Sequence, residues 1–302
     1  MEKNLKIFFN RKPVSGPWGG GSKVLSSLLE ECLKRNYEIT FDLNEKSDLI
    51  FCMDPRPNQE HDFSMLYDKK KREGAKIIQR VGDLGTHGKP ELLDLVKRSS
   101  DYSDCVIFPS KWAKDHANIK NLNQLIVQNA PLKDFIKSNN KLLDKNDIKF
   151  VTHHWSNNAM KGFDTYDFLN RFCISNSDYS FTFIGRKPEN CLIKNHIEPQ
   201  DTLELINTIP KHDIYITASK KEAGANHVLE AIALGLPVLY HEDGGSIVEY
   251  CQDYGIPYKD NEDLLRLIQD KNILEKIVKD KKAYVRSSED MASEYIDIFE
   301  AI

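Results

Sequence analysis

Short apolar segments alternate with polar or helical segments along nearly the whole sequence. In the first half, strands are predicted at residues 5–10, 39–43, 49–53, 76–80 and 105–109. In the second half, strands are predicted at residues 149–153, 181–185, 214–217 and 236–240, with helices at 165–173, 202–208 and 226–234. Such alternation is typical of a mostly parallel sheet with helices on its faces. We therefore expect an α/β fold.

The strands fall into two series, which indicates two domains. A stretch rich in lysine and asparagine, residues 137–149, lies between the series and is typical of a linker. A chain of 302 residues is long enough for one large or two ordinary domains. We expect an N-terminal domain over residues 1–147 and a C-terminal domain over residues 148–302, which ends in two or three helices. Packing of the last helix on the N-terminal domain stays open.

Composition and charge disfavour several classes of protein. The chain is 40% apolar and 29% charged, with a net charge of −4 and a pI near 6.2, so no basic field favours nucleic acid. The sequence begins without a signal-peptide pattern and has no apolar run approaching the roughly 20 residues of a membrane span. Its six cysteines are scattered without a CxxC pair, which favours buried free thiols in a reducing compartment. We expect a cytoplasmic protein, and peripheral contact with a membrane stays open.

The stretch most informative about function is residues 219–249. A predicted strand leads into a polar loop that contains Gly224, and a helix follows from about residue 226 until Gly235. Such a junction directs backbone N–H groups and the positive end of the helix dipole toward a bound anion. Glu222 and Glu230 lie on either side of it. Each glutamate alone could be an ordinary helix residue, but the neighbouring motifs favour a ligand site.

Two basic residues follow strands of the same domain. Lys161 precedes a predicted helix, where a positive charge is unfavourable unless it faces an anion. Arg186 follows the strand at 181–185, and a guanidinium suits phosphate oxygens. A phosphate-bearing ligand is therefore favoured. His153 and His154 have no partners at metal-ligand spacing, so we expect no metal site.

Loops rich in glycine also follow strands of the N-terminal domain. Residues 14–22 form one such loop, which includes Gly20 and Gly21 and lets the backbone approach a ligand closely. Its spacing is not GxGxxG, which disfavours a dinucleotide site. His87, in the loop after a later strand, is either a site residue or a structural histidine. The basic run at 69–72 is interpreted as a solvated helix end, with an anionic acceptor or a membrane surface as the alternative.

Several segments of the second half resemble the donor-binding region of retaining glycosyltransferases of family 4. They are the pair Glu222 and Glu230, separated by seven residues, the segment 231–238 (Ala-Ile-Ala-Leu-Gly-Leu-Pro-Val) and the turn 244–249 (Gly-Gly-Ser-Ile-Val-Glu). Residues 161–164, Lys-Gly-Phe-Asp, are similar to the family's lysine–glycine segment at the start of the C-terminal domain. The resemblance covers most of the C-terminal half.

The resemblance implies a GT-B fold, in which two Rossmann-like domains with parallel sheets face each other across a cleft. It implies that Glu230 hydrogen-bonds the ribose of a nucleotide sugar and that Glu222 contacts the donor sugar near the reacting carbon. Lys161 would neutralise the diphosphate leaving group, and His87 resembles the N-terminal residue that approaches the donor sugar. The further donor-binding residues expected on this basis are Gly224, Ala225, Asn226, His227, Arg186, His154, Trp155, Ile197, Gly20 and Gly21.

One position departs from the family pattern. The family usually carries an arginine about five residues before the lysine, and this chain has Ser156 there. His154, Trp155, Asn158 or Arg186 could replace it, and spacing does not choose among them. The chain is also short for two such domains, so we expect a minimal N-terminal sheet.

The implied activity is sugar transfer with retention of anomeric configuration and without a metal. The donor would be UDP- or GDP-linked, and the acceptor a glycan, a lipid-linked glycan or a protein. The alternative is a non-catalytic partner subunit that binds nucleotide sugar for another glycosyltransferase. The missing arginine favours that alternative, whereas the retained glutamates and Lys161 disfavour it. A GT-B sugar-nucleotide 2-epimerase and a nicotinamide dehydrogenase are less well supported.

Overall fold

The computed structural model describes residues 5–14, 20–138 and 141–302. Gly16, Pro17 and Gly19 of the predicted glycine loop lie outside these ranges. The strands of the described ranges are β1 (Lys6–Phe9), β2 (Glu38–Thr40), β3 (Leu49–Cys52), β4 (Lys76–Arg80), β5 (Cys105–Phe108), β6 (Gln124–Ile126), β7 (Ile148–His154), β8 (Tyr179–Gly185), β9 (Asn195–Ile197), β10 (Ile214–Thr217), β11 (Val238–His241) and β12 (Gly255–Tyr258). The helices are α1 (Gly20–Lys34), α2 (Phe63–Glu73), α3 (Glu91–Ser100), α4 (Lys111–Ala117), α5 (Phe163–Ser175), α6 (Thr202–Thr208), α7 (Asn226–Ala233), α8 (Ser246–Cys251), α9 (Asn261–Gln269), α10 (Lys271–Lys279) and α11 (Ser288–Ala301).

The described chain forms two compact units. Unit 1 contains residues 5–14, 20–130 and 287–302, and unit 2 contains residues 131–138 and 141–286. Each unit holds one six-stranded sheet, with the order β2-β1-β3-β4-β5-β6 in unit 1 and β12-β11-β10-β7-β8-β9 in unit 2. Every pair of neighbouring strands in the two sheets is parallel. The predicted α/β fold with parallel sheets is therefore confirmed.

The core of unit 1 includes a helix that follows unit 2 in the sequence. Tyr295 and Phe299 of α11 are buried, and their rings lie 5.8 and 5.4 Å from the ring of Phe51 on β3. The buried guanidinium of Arg80 donates to Tyr295 Oη at 3.1 Å and to Asn129 Oδ1 at 2.9 Å. Residues 287–302 are thus part of the interior of unit 1.

Unit 2 begins before its first strand. Phe135 is fully buried in the same cluster as Val151 of β7 and Tyr215 of β10. The backbone N–H of Lys137 donates to the carbonyl of Ala233 at the end of α7, at 2.9 Å. These contacts attach residues 131–138 to the core of unit 2.

Some strand boundaries differ from the prediction for local reasons. The strand predicted at 39–43 ends at Thr40, because the Thr40 hydroxyl accepts from the N–H of Asp42 and starts a turn. The strand predicted at 236–240 starts at Val238, after Pro237, which has no N–H to donate. β12 was not predicted from the sequence. It contains Pro257 and lies at the edge of its sheet, where proline is tolerated.

The basic run at 69–72 is not entirely solvated. Lys69 is fully buried, and its ammonium lies 2.8 Å from Glu73 Oε2 and 3.2 Å from the carbonyl of Leu43. The interpretation as a solvated helix end is therefore wrong for Lys69, because its side chain ties α2 to the loop after β2. Arg72 is exposed, as that interpretation requires.

Two further sequence predictions are met. All six cysteines lie in the described residues and are free, and all except Cys173 are buried. Three helices, α9, α10 and α11, follow residue 261. Across the described helices, none combines the length and the apolar character that a membrane span requires.

Candidate functional site

The site is built where the sheet of unit 2 changes direction. The chain runs from β7 to β8 and β9 on one side, and then returns to β10 on the other side of β7. The connections that follow β7 and β9 thus lead to opposite sides of β7, and the carboxyl ends of the strands at such a change of direction are where parallel α/β sheets bind ligands. His153 and His154 end β7, and Thr217 ends β10. This edge of the sheet is the candidate site.

Lys161 and Glu222 meet above this edge. Lys161 Nζ lies 2.5 Å from Glu222 Oε1, and the two side chains are only 12% and 14% exposed. Gly162 permits the approach, because it has φ +77° and a Cβ there would lie 2.5 Å from the carbonyl oxygen of Ala218. The N–H of Lys220 also donates to the carbonyl of Met160 at 2.9 Å. Two loops distant in sequence thus present one ion pair, which the isolated sequence motifs do not reveal.

The loop of Glu222 is held by the glycine turn that precedes α8. The N–H of Glu222 donates to the carbonyl of Gly244 at 3.1 Å, and the N–H of Ser246 donates to the carbonyl of Glu222 at 2.8 Å. Gly245 has φ +70°, and a Cβ at this residue would lie 2.5 Å from the Glu222 carbonyl oxygen. The backbone around Glu222 is therefore fixed on both sides.

Glu230 is buried and paired inside unit 2. Its Oε2 lies 2.9 Å from His153 Nε2, and Glu230 as a residue is only 4% exposed. His153 Nδ1 lies 3.1 Å from the hydroxyl of Tyr215, which also bonds the His153 backbone. A buried carboxylate needs such partners, since an unpaired buried charge is costly. This chain of contacts fixes the orientation of Glu230.

Two more histidines lie beside this pair. His227 Nε2 lies 3.0 Å from the Thr217 hydroxyl, and His154 Nε2 lies 2.5 Å from the hydroxyl of Tyr166. Burial lowers the pKa of His227 from 6.5 to about 3, with Lys161 acting in the same direction. Burial also raises the pKa of Tyr166 to about 12. Both groups are therefore neutral at pH 7, and the charges near this edge come from carboxylates and cations.

The start of α7 supplies backbone donors. Helix α7 begins at Asn226 without a side-chain cap, and no acidic residue lies in its first turn. The N–H of Ala225 is already bonded to Ser246 Oγ at 3.0 Å. Asn226 Oδ1 and Ser219 Oγ are buried polar atoms for which the described residues offer no hydrogen-bond partner. Uncapped N–H groups and unsatisfied polar atoms at one helix start are typical of a polar ligand site.

Arg186 and Trp155 form a second cationic group at the ends of β7 and β8. The Arg186 guanidinium lies 4.0 Å above the Trp155 ring, a cation–π geometry. Gly185 brings β8 close, because a Cβ at this residue would lie 1.9 Å from the His154 carbonyl oxygen. The Ser156 hydroxyl accepts from the N–H of Asn158 at 3.2 Å, so it serves the local turn.

The remaining predicted residues lie elsewhere. Ile197 is partly buried on the edge strand β9 of unit 2 and packs against the core cluster. His87 is partly buried in the turn before α3, and Gly20 and Gly21 open α1, all three in unit 1. The structure brings together Lys161, Glu222, Glu230 and residues 224–227 within unit 2.

Sequence reasoning missed some residues of the site. His153 was considered only as a metal ligand, and Tyr215, Thr217 and Ser219 were not considered. The only sequence signal for them is their position in or just after a strand, and its meaning depends on the order of strands in the sheet. Across residues 5–14, 20–138 and 141–302, no three histidine, cysteine or carboxylate side chains group as a metal site.

Comparisons with known proteins support the fold. No protein-family model matches the chain, and no curated protein sequence is significantly similar to it. The crystal structure of Anabaena HepE in complex with UDP and glucose has a TM-score of 0.72 and 11% identity, covering 99% of this chain and 100% of that one. Sucrose-phosphate synthase from Thermosynechococcus elongatus has a TM-score of 0.66 and 13% identity, with coverage of 99% and 100%. WaaG, a glycosyltransferase involved in lipopolysaccharide biosynthesis, has a TM-score of 0.65 and 12% identity, with coverage of 97% and 99%.

At such low identity these likenesses show the architecture alone. Two Rossmann-like units, each with a parallel six-stranded sheet and flanking helices, define the GT-B fold class. The predicted fold class is confirmed at this level.

Proposed function

We propose that this chain is a retaining glycosyltransferase of the family 4 type, which moves a sugar from a nucleotide-diphosphate sugar to a glycan, lipid-linked or protein acceptor. The observation that carries the proposal is the ion pair of Lys161 and Glu222, whose charged atoms lie 2.5 Å apart. Of the two residues, Glu222 is close in sequence to the uncapped start of α7. A cation and a carboxylate in a partly buried site suit a ligand with both a diphosphate and hydroxyl groups.

Three groups would bind the nucleotide and its diphosphate. Glu230, oriented by His153, would accept hydrogen bonds from the ribose hydroxyls. Lys161 and the backbone N–H groups of Asn226 and His227 would hold the diphosphate, with Gly224 and Ala225 shaping the turn before them and with Arg186 and Trp155 nearby in the place of the family arginine. His154 would line the same site, and Ile197 would lie against the base. The complexes of HepE with UDP and with UDP-glucose favour a uridine donor over the GDP alternative.

The reaction would break the bond between the anomeric carbon and the leaving phosphate oxygen and form a bond from that carbon to the acceptor oxygen on the same face. The acceptor proton would pass to the departing diphosphate, whose negative charge Lys161 stabilises. Glu222 would hold the donor sugar at the reacting carbon. Because Lys161 can supply the positive charge, we propose that no metal is required.

The proposal assigns donor binding to residues 148–302 and the acceptor side to residues 1–147. The protein would act in the cytoplasm. It would contact a membrane if its acceptor is lipid-linked. These assignments follow from the roles of Glu222, Glu230 and Lys161.

Two variants test the site. We expect Glu222→Gln to lower transfer at least about a hundredfold with nucleotide affinity nearly unchanged, because the sugar loses its positioning carboxylate. Glu230→Ala should instead weaken nucleotide binding by about tenfold or more, since it removes the proposed ribose contact. Nucleotide affinity is measured by calorimetry with UDP, GDP and ADP, and transfer or donor hydrolysis with sugar derivatives of the best nucleotide.

The controls separate the possible outcomes. Asp167→Asn, a partly exposed ion-pair residue on α5, should match the wild type in both assays. Activity that survives excess chelator would agree with a metal-independent reaction, and complete loss would contradict it. Nucleotide binding without transfer would favour the non-catalytic partner subunit. Equal activity of the wild type and both glutamate variants would remove the site assignment.

A further inference from the structure

A second cavity lies at the change of direction of the other sheet. In unit 1 the chain runs from β1 to β2 on one side and then crosses to β3 on the other side of β1. The segments that follow β1 and β3, residues 10–12 and 54–61, line a cavity of about 560 Å³. Phe41, just after β2, completes the wall. Position and volume are both typical of a small-molecule site.

The loops around this cavity are firmly held. The side chain of Asn10 donates to the carbonyl of Asp54 at 2.7 Å and accepts from the N–H of Met53 at 2.8 Å. The side chain of Asn58 donates back to the Asn10 carbonyl at 3.3 Å. The segments after β1 and β3 are therefore joined, and the cavity between them is preformed.

Arg11 gives the cavity a positive charge. Its Nη2 donates to the carbonyl of Arg56, whereas its Nη1 is buried and has no hydrogen-bond partner in the described part of the chain. The two carboxylates of the wall lie against other groups. Asp54 Oδ2 accepts from Arg56 Nε at 2.9 Å, and Glu60 lies 3.6 Å from Lys12 and 3.9 Å, beyond hydrogen-bond distance, from His61 Nδ1. A guanidinium that lines a cavity and still has an unused N–H donor is suited to bind an oxyanion.

His61 adds a second unsatisfied atom. Its side chain is only 5% exposed, and within the described ranges its Nδ1 has no hydrogen-bond partner. Burial lowers the pKa of His61, and the charge of Glu60 and a hydrogen bond to the Phe41 carbonyl oppose that shift. Because Nδ1 has no hydrogen-bond partner among the described residues, we assign that bond to Nε2. The neutral ring therefore offers Nδ1 as an acceptor, which suits a hydroxyl group.

The two unsatisfied atoms differ in what they require. Arg11 Nη1 needs an acceptor and suits an anionic oxygen, whereas His61 Nδ1 needs a donor and suits a hydroxyl. The partly buried ring of Phe41 adds apolar surface for the C–H groups of a sugar ring. Buried polar atoms without partners are unfavourable, and a ligand that carries both groups would satisfy them.

We propose that this cavity binds an anionic carbohydrate, with Arg11 holding its carboxylate or phosphate and His61 Nδ1 accepting a hydrogen bond from a hydroxyl. The inference goes beyond the proposed function, because the site belongs to unit 1 alone and its occupancy needs no nucleotide. Failure at this cavity would leave the nucleotide site of unit 2 untouched.

Calorimetric titration of the full chain without nucleotide tests the proposal. The probes are glucuronate, glucose 6-phosphate, neutral glucose and inorganic phosphate. We expect glucuronate or glucose 6-phosphate to bind at least about tenfold more tightly than glucose and inorganic phosphate, and the better of the two identifies the anionic group. Arg11→Gln should weaken that binding by about tenfold or more, because it removes the charge.

Matched variants complete the experiment. Arg98→Gln alters an exposed arginine of α3 in the same unit and should stay within about twofold of the wild type. Arg11→Lys keeps the charge and should retain more affinity than Arg11→Gln, even where both variants lower the melting temperature. Binding of neither sugar anion, equal binding of inorganic phosphate, or unchanged affinity of Arg11→Gln would each overturn the proposal.

Discussion

At the scale of single residues, the interior of unit 2 contains a carboxyl group that lies against a histidine ring. Glu230 and His153 are both buried, and their contact of 2.9 Å is supported by the Tyr215 hydroxyl on the far side of the ring. Buried ion pairs contribute little net stability, but the removal of one partner leaves the other charge uncompensated. The pair therefore has a testable asymmetry.

We expect His153→Leu to destabilise the protein by about 2–3 kcal/mol, because the buried carboxyl group of Glu230 loses its hydrogen bond to the His153 ring. Adding Glu230→Gln to His153→Leu should restore at least half of that loss, since a neutral amide then replaces the carboxyl group that has lost this partner. Urea unfolding followed by circular dichroism gives the free energies. If the double variant were as unstable as the sum of the two single variants, the pair would not act as a unit.

A neutral buried histidine also makes stability depend on pH. His227 has its pKa lowered from 6.5 to about 3, and the charges that act on it are those of Glu222, Lys161, His153 and Glu230. Below pH 6.5 this residue is protonated in the unfolded chain but stays neutral in the folded chain. Stability from this group is therefore complete above pH 6.5 and is lost as pH falls toward about 3.

The variant His227→Gln should accordingly lose less stability than the wild type between pH 7 and pH 5. Urea midpoints at the two pH values provide the comparison. Asp167→Asn, which changes a partly exposed side chain of α5, serves as the control and should follow the wild-type curve. A wild-type midpoint that falls no faster than that of His227→Gln would show that His227 is protonated in the folded state.

At the scale of elements, tight glycine turns bring the loops of the site together. Gly162 has φ +77°, and a Cβ there would lie 2.5 Å from the Ala218 carbonyl oxygen. Gly74, which ends α2 in unit 1, has a similar φ of +71° but no atom within 4 Å of its Cβ position. A substitution at Gly74 therefore tests the cost of a left-handed backbone alone, whereas one at Gly162 adds the cost of a close contact.

We expect Gly74→Ala to cost about 1–2 kcal/mol, the usual penalty of a left-handed conformation for a residue with a Cβ. Gly162→Ala should cost more, because the end of β10 must also move away. It should in addition weaken nucleotide binding, since Lys161, the neighbour of Gly162, would be displaced from the proposed diphosphate site. Denaturant unfolding and calorimetry measure the two effects. Equal costs for both variants would mean that the contact with Ala218 relaxes freely.

Much of the fold could be predicted because its determinants are local. Buried strands such as Cys105–Phe108 and Ile214–Thr217 are short apolar runs between polar segments, and helix α6 coincides with its predicted range of 202–208. The parts that failed depend on non-local pairing. Edge strands such as β12 are stabilised by pairing with a neighbouring strand, and the local sequence does not show which strand that is. Lys69 is buried against a loop 26 residues away in sequence.

The candidate site divides in the same way. The spacing of Glu222 and Glu230 marks the start of one helix and is readable from the sequence. The partner of each glutamate is not, because Lys161 lies 61 residues and His153 lies 77 residues from its carboxylate. These contacts exist only once β7 and β10 lie side by side.

At the scale of the whole molecule, unit 1 is assembled from separate parts of the chain. Helix α11 fills its core against Phe51 and supplies Tyr295 to the buried guanidinium of Arg80. Unit 2 is built from residues 131–138 and 141–286 without that helix. Loss of α11 should therefore affect one unit and spare the other.

We expect a chain that ends at Arg286 to have an unstable unit 1, because burial of Tyr295 and Phe299 is lost and aromatic side chains typically contribute about 3–5 kcal/mol each. Limited proteolysis with mass spectrometry should show rapid cleavage within residues 20–130 and protection within unit 2. Removal of only the exposed Ala301 and Ile302 is the control and should leave both units protected. Equal protection of residues 20–130 in the two truncated chains would contradict the expectation.

The interrupted course of unit 1 also has a consequence for biosynthesis. Residues 20–130 leave the ribosome before Pro131–Arg286, and helix α11 follows only after that whole segment. At a translation rate of about 5–20 residues per second, helix α11, which completes the core of unit 1, is synthesised about 10–30 s after residue 130. During that interval the nascent chain exposes the apolar surface around Phe51, a surface that chaperones recognise, while unit 2 already has all its residues.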